Sequence, residues 1–588
     1  MPKDMSRSAF LNVETSLSGR FWVGPDPELM RQAEALAQKS DLPEPLARIL
    51  AARGVTPEEV GAHLDPKLRD LMPDPASLRD MPKAAARLVE AVLKGQKLAI
   101  FADYDVDGGA SAALLLDWLR QMGSDATLYV PDRIDEGYGP NPPAMAALAK
   151  DHDLIVCVDC GTLSHEAIEA AANADVVILD HHLGGETLPK ALAVVNPNRQ
   201  DEDGELAHLC AAAVVFLCLV EANRQLRKTG KNGPQLIEML DLVALATVAD
   251  VAPLIGLNRA LVRQGLKIMS GRTRPGLAAL ADVAKLNTPP SSYHLGYVFG
   301  PRVNAGGRVG RADLGARLLS SRDPDEARAM ADRLDGFNTE RREIEAQVRD
   351  AAMAQAETRG LDAPLVWAAG EGWHPGVVGI VAARLKEATN RPAVVIGLDG
   401  DEGKGSGRSI KGVDLGASIH RLESEGLLLK GGGHKMAAGL TVSRDRLEDA
   451  MDRLSELVAR QGAGQGGAQE LRIDAVLMPD AATPELIEKI EMAGPFGQNA
   501  PAPRFAFPAM AIHFAKEVGT GHLRLSFGDG HGPKLNAIAF GAFDTELGSM
   551  LSNHGGQRFH LAGRLELNHW GGRTSVQLRL EDAALAET

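Results

Sequence analysis

The sequence predicts an α/β protein: a parallel-sheet domain, a long connecting helix, a smaller α/β domain and a C-terminal OB-like β-barrel. Three observations carry this. Short continuous apolar runs, LAIF (98–101), LIVCV (154–158) and VVILD (176–180), alternate with helix-like stretches, as strands buried on both faces of a parallel sheet do. A charge-dense segment after Ser320 has helical spacing. The last part of the chain alternates polar and apolar residues in HLRLSF, LNAIAFGAF, FHLAGRLEL and TSVQLRL, separated by Gly-rich turns.

Residues 1–85 read as an N-terminal helical lead-in, with short helical patterns broken by the Pro-rich LMPDPASLRDMP. Residues 86–270 hold the parallel-sheet domain; from Lys97 its strands are LAIF, ATLYV, LIVCV and VVILD. Residues 271–355 hold the remainder of that region and the connecting helix, one long helix or a pair, whose charges form a solvated face bridging two domains. Residues 356–460 form a second α/β unit, running from APLVWAAG through PAVVIGL. The Gly/Gln-rich QGAGQGGAQ (461–469) is a flexible linker, and 470–588 the OB-like, nucleic-acid-binding domain.

Composition excludes several classes. Of 588 residues 45% are apolar and 24% charged, which rules out global disorder and fibrous repeats. The net charge of −15 argues against a uniformly basic surface; it leaves room for a local basic groove and fits carboxylates gathered for cations. Four cysteines are too few for a disulfide scaffold, and MPKDMSRSAFLNVE lacks the apolar core of a signal peptide. The longest uncharged apolar run, Leu209 to Val220, is too short to span a membrane. The expectation is a soluble protein of the reducing cytoplasm with no membrane partner.

The strongest chemical signal is acids placed where apolar runs end. LAIF leads into Asp103, Asp105 and Asp107; LIVCV ends in Asp159; VVIL ends in Asp180, His181 and His182; LVALATVA, read as a further strand, ends in Asp250. Ligands of parallel sheets bind at the carboxyl ends of strands. So many carboxylates gathered there need cations, which implies a metal site with two ions. Oxygen-rich ligation with one or two imidazoles suits Mn²⁺ or Mg²⁺, and paired ions suit in-line displacement at phosphorus. Cys157 and Cys160 read as two small core residues.

Three further constellations suit phosphates. GPRVNAGGRVGRAD (300–313) sets Arg302, Arg308, Arg311 and Asn304 among glycines, as guanidinium forks beside exposed amides or as a basic interdomain loop. In the second α/β unit Ser406 and Arg408 supply donors. Gly431, Gly432 and Gly433 allow close approach beside His434, or make a tight turn. In the C-terminal unit Arg524, Lys534, His569, Trp570, Arg573 and Arg579 interleave with Phe505, Phe507 and Phe527, which serve either as stacking platforms for single-stranded nucleic acid or as core.

These residues resemble the DHH phosphoesterase superfamily. The matching motifs are DYDVDG (103–108), PDRIDEGYG (131–139), VDCG (158–161), DHH (180–182), VALATVAD (243–250), PRVNAGGRVG (301–310), GGGHKMAAG (431–439), GPFGQNAPAP (494–503) and LNHWGG (567–572). The resemblance runs from about residue 60 to the end. It implies a catalytic DHH domain, a connecting helix, a substrate-binding DHHA1 domain and an OB fold. It also implies hydrolysis of single-stranded DNA from the 5′ end to nucleoside monophosphates, in recombination and repair, with Mn²⁺ or Mg²⁺. Carried over by position, Asp105 and Asp159 hold one ion, and Asp107, Asp159, His181 and Asp250 the other. Asp159 then bridges, Asp103 assists and His182 faces the scissile phosphate. Arg133, Arg302, Ser406, Arg408 and His434 grip phosphates. A single-strand-binding protein and a helicase are the implied partners.

There are departures: Phe101 stands where pyrophosphatase-type relatives carry a metal-ligating His, Ala102 replaces a Gly, and CAAAVVF (210–216) has alanines in place of a Gly. Two other readings stay open. One is an oligoribonuclease or cyclic-dinucleotide phosphodiesterase of the same superfamily, against which the C-terminal β unit counts. The other is a catalytically inert DNA-binding replication scaffold, against which the full set of acids counts.

Overall fold

The computed structural model describes residues 8–132, 136–464, 469–570 and 573–586; the side chains of His569, Trp570 and Arg573 lie outside what it describes. The chain forms two compact units, Met72–Pro253 with Leu261–Gly466, and Met1–Leu71 with Leu254–Ala260 and Gly467–Thr588.

In the first unit, β1 (Leu98–Ala102), β2 (Ala126–Tyr129), β3 (Leu154–Val158), β4 (Asp175–Leu179) and β5 (Ala193–Val195) form one all-parallel sheet in the order β2-β1-β3-β4-β5. Strands β1 and β3 are buried at every position, which explains why their sequences are unbroken apolar runs. The order reverses between β1 and β3, and the carboxyl ends of flanking strands at such a switch point leave an open crevice. Asp103 and Asp159 follow directly after those two strands. Cys157 and Cys160 are buried thiols within a core cluster of this sheet, as expected.

Helix α1 (Val106–Gln121) starts at the end of β1, capped by Asp105. Helices α2 (Ala211–Lys228) and α3 (Leu240–Ala249) follow the sheet and are buried along most of their length. The run LVALATVA was expected as a strand; it is helix α3. A uniformly apolar run has no period to separate the two, and α3 is apolar all round because it is enclosed.

Helix α4 (Gly300–Val309) occupies the segment expected as a glycine-rich loop with exposed amides. Its amides belong to the helix, and its glycines are there for packing. A Cβ at Gly307 would fall 2.6 Å from the Tyr104 ring, and one at Gly306 3.2 Å from Leu334. The connecting segment is one helix, α5 (Pro324–Arg359), capped by Asp323. Toward its C-terminal end Val348, Ala352 and Ala356 enter a core cluster with Val366, Val377 and Leu385 of the second α/β domain.

That domain has a five-stranded sheet built from β6 (Val366–Glu371), β7 (Ala393–Asp399), β8 (Glu402–Arg408), β9 (Lys430–His434) and β10 (Ala437–Ser443), in the order β9-β10-β8-β7-β6. Helix α6 (Pro375–Thr389) lies against β7 and β8.

In the second unit, β11 (Phe505–Val518), β12 (His522–Gly528), β13 (Leu535–Ala539), β14 (Arg558–Trp570) and β15 (Arg573–Leu585) pair in the order β11-β12-β13-β15-β14, and β11 returns to pair with β14. This closure, with β13 and β15 parallel and helix α7 (Glu546–Ser552) between β13 and β14, is the OB arrangement. Phe505, Phe507 and Phe527 are fully buried inside it, so of the two readings left open for them the structure selects core. Each contributes about 1.5–3 kcal/mol by burial. The N-terminal helices Pro27–Ser40 and Glu44–Ala52 supply Leu36, Leu46 and Leu50 to that same core. Phe21–Val23 pairs in parallel with Glu470–Arg472, and buried Trp22 donates its indole N–H to Asp582 at 2.9 Å. No helix among the described residues is long and apolar enough to cross a membrane.

Candidate metal centre and substrate groove

The sequence places acids at the switch point, and local backbone geometry aims them. Asp105 caps α1, its Oδ1 accepting from the amides of Asp107 (2.8 Å) and Gly108 (3.1 Å). Asp107, in the first turn, accepts from Ala211 N (2.7 Å) and Ala212 N (2.8 Å) and so caps α2, whose own N-cap, Cys210, makes no side-chain cap bond. Asp159 follows β3 with a left-handed φ of 59°, a strained conformation for a non-glycine residue of the kind found at functional sites. Asp250 ends α3.

These residues converge. One ligand atom each from Asp107, His181 and Asp250 lie within 4.8 Å of one another, and so do one each from Asp103, Asp105 and Asp159, and from Asp159, His181 and His182. His181 Nε2 is 3.3 Å from Asp159 Oδ1, 3.6 Å from Asp107 Oδ2 and 3.8 Å from Asp250 Oδ2. All seven expected centre residues, Asp103, Asp105, Asp107, Asp159, His181, His182 and Asp250, therefore gather at one place. Phe101 points elsewhere: it is buried in the core and stacked on Tyr129 at 5.2 Å. Asp103 fills out the donor set on that side.

The electrostatics require cations. Asp103, Asp107 and Asp159 are buried, and among the described residues no lysine or arginine pairs with Asp105, Asp107, Asp159 or Asp250. Burial, then the charges of Asp107, Asp105, Asp103 and Asp250, push the Asp159 carboxyl well above the usual range. Burial, then Asp107 and Asp105, lift Asp250 to about 8. Asp159 Oδ1 is buried and accepts no hydrogen bond. Hard oxygen donors with imidazole, largely buried and with no lysine or arginine on Asp105, Asp107, Asp159 or Asp250 among the described residues, fit divalent ions such as Mn²⁺ or Mg²⁺.

His182 stands at the edge of that set, 3.9 Å from Asp159 Oδ1 through Nδ1, with its closest partner outside it. Its Nδ1 lies 2.8 Å from Asp180 Oδ1, and Asp180 is in turn fixed by Thr162 N (3.0 Å) and Thr162 Oγ1 (2.6 Å). Burial pulls the imidazole pKa down, and the hydrogen bond and charge of Asp180 more than reverse this, lifting it to about 9. The cationic ring directs Nε2 toward the Tyr138 hydroxyl at 3.0 Å, which donates to the Asp159 carbonyl at 3.2 Å. Sequence pattern alone does not single out Thr162 or Tyr138, although Tyr138 lies in PDRIDEGYG and Thr162 directly follows VDCG.

The phosphate-binding expectations divide. Register places His434 beside Ala437 and Ala437 beside Arg408, Gly432 beside Gly439 and Gly439 beside Ser406. Lateral neighbours share a face. His434, Arg408 and Ser406 thus rise from one face, with Ala437 between the first two and bare Gly432 and Gly439 in the row of Ser406, and Arg408 donates to Ser406 Oγ at 3.0 Å. Of the glycine triplet only Gly432 has room for a side chain, a Cβ there meeting just the His420 ring at 3.8 Å. A Cβ at Gly431 would meet Ile419, and Gly433, at φ +148°, abuts Ala438. Gly379 of α6 lies over this face: a Cβ there would be 3.0 Å from Ser406 Oγ. Arg302 is engaged by Asp335 (2.8 Å) and the Val298 carbonyl (2.8 Å), tying α4 to α5. Arg308 donates to the Gly376 carbonyl at 3.0 Å, and Asn304 accepts from Val106 N at 3.0 Å, bracing the start of α1. Arg311 is an exposed partner of Asp313. Arg133 lies outside the described residues.

A doubly wound sheet whose switch point gathers aspartates and a His pair, joined by one helix to a polar glycine-floored sheet, defines a DHH phosphoesterase. The DHH family N-terminal domain matches residues 97–247, the DHHA1 domain 362–460 and the RecJ OB domain 473–582. The chain is 39% identical to the single-stranded-DNA-specific exonuclease RecJ of Dickeya dadantii, over 94% of this chain and 98% of that one. The crystal structure of RecJ with Mn²⁺ from Thermus thermophilus superposes with a TM-score of 0.77 at 28% identity, covering 96% of this chain and 79% of that one. The corresponding Mg²⁺ complex gives 0.71 at 26% identity, with the same coverage. The chain belongs to the RecJ family.

Proposed function

We propose that this chain is a divalent-metal-dependent exonuclease that degrades single-stranded DNA from the 5′ end, releasing nucleoside 5′-monophosphates. The observation that carries the reading is the cluster of buried carboxylates around Asp159, which shares one donor group with Asp103 and Asp105 and another with His181 and His182. Asp103, Asp105 and Asp159 would hold one ion, and Asp107, Asp159, His181 and Asp250 the other. Bound there, Mn²⁺ or Mg²⁺ supplies charge neutralisation at phosphorus and a water of lowered pKa.

The remaining work falls to side chains. His182, cationic and aimed by Asp180, donates from Nε2 to a non-bridging oxygen of the scissile phosphate, exchanging its bond to Tyr138 for one to the substrate. The caps at Asp105 and Asp107 hold two carboxylates rigidly, so little reorganisation is needed as charge develops. Ser406, Arg408 and His434 bind phosphate beside Gly432, whose missing side chain leaves room for the backbone. Asn304 and Arg308 act one step back, bracing α1 and α6; Arg302 ties α4 to α5.

An enzyme that takes single strands needs a source of them. This places it in recombination and repair beside a helicase and a single-strand-binding protein, in the cytoplasm, a reducing compartment that suits its four free buried cysteines. The direct test is digestion of 5′- and of 3′-labelled single strands with Mn²⁺ and with chelator. The expected result is immediate metal-dependent release of the 5′ label as mononucleotide. Release of the 3′ label first would overturn the polarity, and loss of no label would overturn the activity.

A further inference from the structure

Two exposed tyrosines lie at the turn that packs on the end of α3. Tyr293 and Tyr297 are 50% and 69% exposed, and their rings stack with centroids 5.0 Å apart at 26°. They belong to the helical run that leads into α4, at a five-residue wide turn, Leu295–Phe299, with π-type bonding. Such turns concentrate at functional sites. The turn packs on the end of α3 that delivers Asp250: a Cβ at Gly296 would lie 3.5 Å from Val248, and one at Gly300 3.4 Å from Ala249. Pro301, four residues after Tyr297, lines a cleft together with Gly296, Gly300, Asn304, Arg308 and Arg341. The turn that carries this outward aromatic pair thus lines, through Gly296, a cleft that also holds Ala249, next to the residue that closes the metal cluster.

We infer that Tyr297, backed by Tyr293, is a stacking platform for a base of the single strand. The inference rests on the single-strand nuclease reading and adds a positioning residue to it. Every base has a π-face, so the platform grips any sequence, while in a duplex that face is covered by its neighbours. The phenol hydroxyl is not needed; the ring is.

The test uses the full chain, with Ca²⁺ in place of Mn²⁺ for binding, and a single strand carrying 2-aminopurine at successive positions from the 5′ end. In wild-type protein one position is quenched by stacking. Tyr297→Ala loses the quench and weakens strand binding on the order of tenfold, Tyr297→Phe retains both, and with Mn²⁺ the change appears in KM with kcat nearly constant. If wild type binds and cleaves while Tyr297→Ala keeps the quench and the KM, the platform is excluded and the nuclease reading stands. If wild type neither binds nor cleaves single strands, the nuclease reading itself fails.

Discussion

Asp180 Oδ1 lies 2.8 Å from His182 Nδ1, and the same carboxylate is clamped by Thr162. The first residue of the DHH triplet thus holds the third, leaving the second, His181, for the metal cluster. Asp180→Asn keeps the shape and removes the charge that raises the His182 pKa. The expected result is a loss of about 10–100-fold in kcat with Mn²⁺ affinity changed far less, read by steady-state digestion alongside metal titration.

The groove residues act on binding. Arg408→Ala removes a charge-assisted contact worth about 1.5–3 kcal/mol, so KM for a single strand rises roughly ten- to a hundredfold with kcat little altered. The log–log dependence of binding on salt becomes shallower by about 0.7, measured by anisotropy over a salt series.

Chelated protein has a specific pH dependence. Asp250 is raised from 3.8 to about 8 by burial and by Asp107 and Asp105. Between those values the folded chain holds a proton that the unfolded chain has lost, so stability falls as pH rises. The buried neutral His63, lowered to about 4, contributes the opposite slope only below pH 6.5. With EDTA, Tm therefore falls from pH 6.5 to 8, His182, raised to about 9, adding to the same slope; Asp250→Asn lessens that fall, and added Mn²⁺ restores more stability at the higher pH, since binding needs the deprotonated carboxylates. Calorimetry at constant ionic strength reads all three.

The OB aromatics hold the barrel together. Phe507→Ala costs about 3–5 kcal/mol and lowers the denaturation midpoint of the unit containing it. The metal stoichiometry of the remaining native protein stays as in wild type.

Strands β1, β3 and β4 were legible because burial on both faces leaves an apolar run, and the acids after them because a strand end is a fixed place in the fold. Helix α3 was not, since enclosure erased its period; nor was α4, whose glycines are spaces for Tyr104 and Leu334 that only the tertiary packing reveals. The centre was readable in Asp105, Asp107, Asp159, His181 and Asp250. Thr162 and Tyr138 act by contacts between segments distant in sequence, which no local pattern encodes. Phe505 and Phe507 could face in or out on alternation alone; closure of the barrel decides it.

The shared carboxylate is tested most directly by isothermal titration of the metal-stripped full chain with Mn²⁺. Two ions per wild-type chain, with both weakened in Asp159→Asn, is the expected result. Saturation at one ion or none, or an Asp159→Asn chain that takes up two with unchanged affinity, would contradict it.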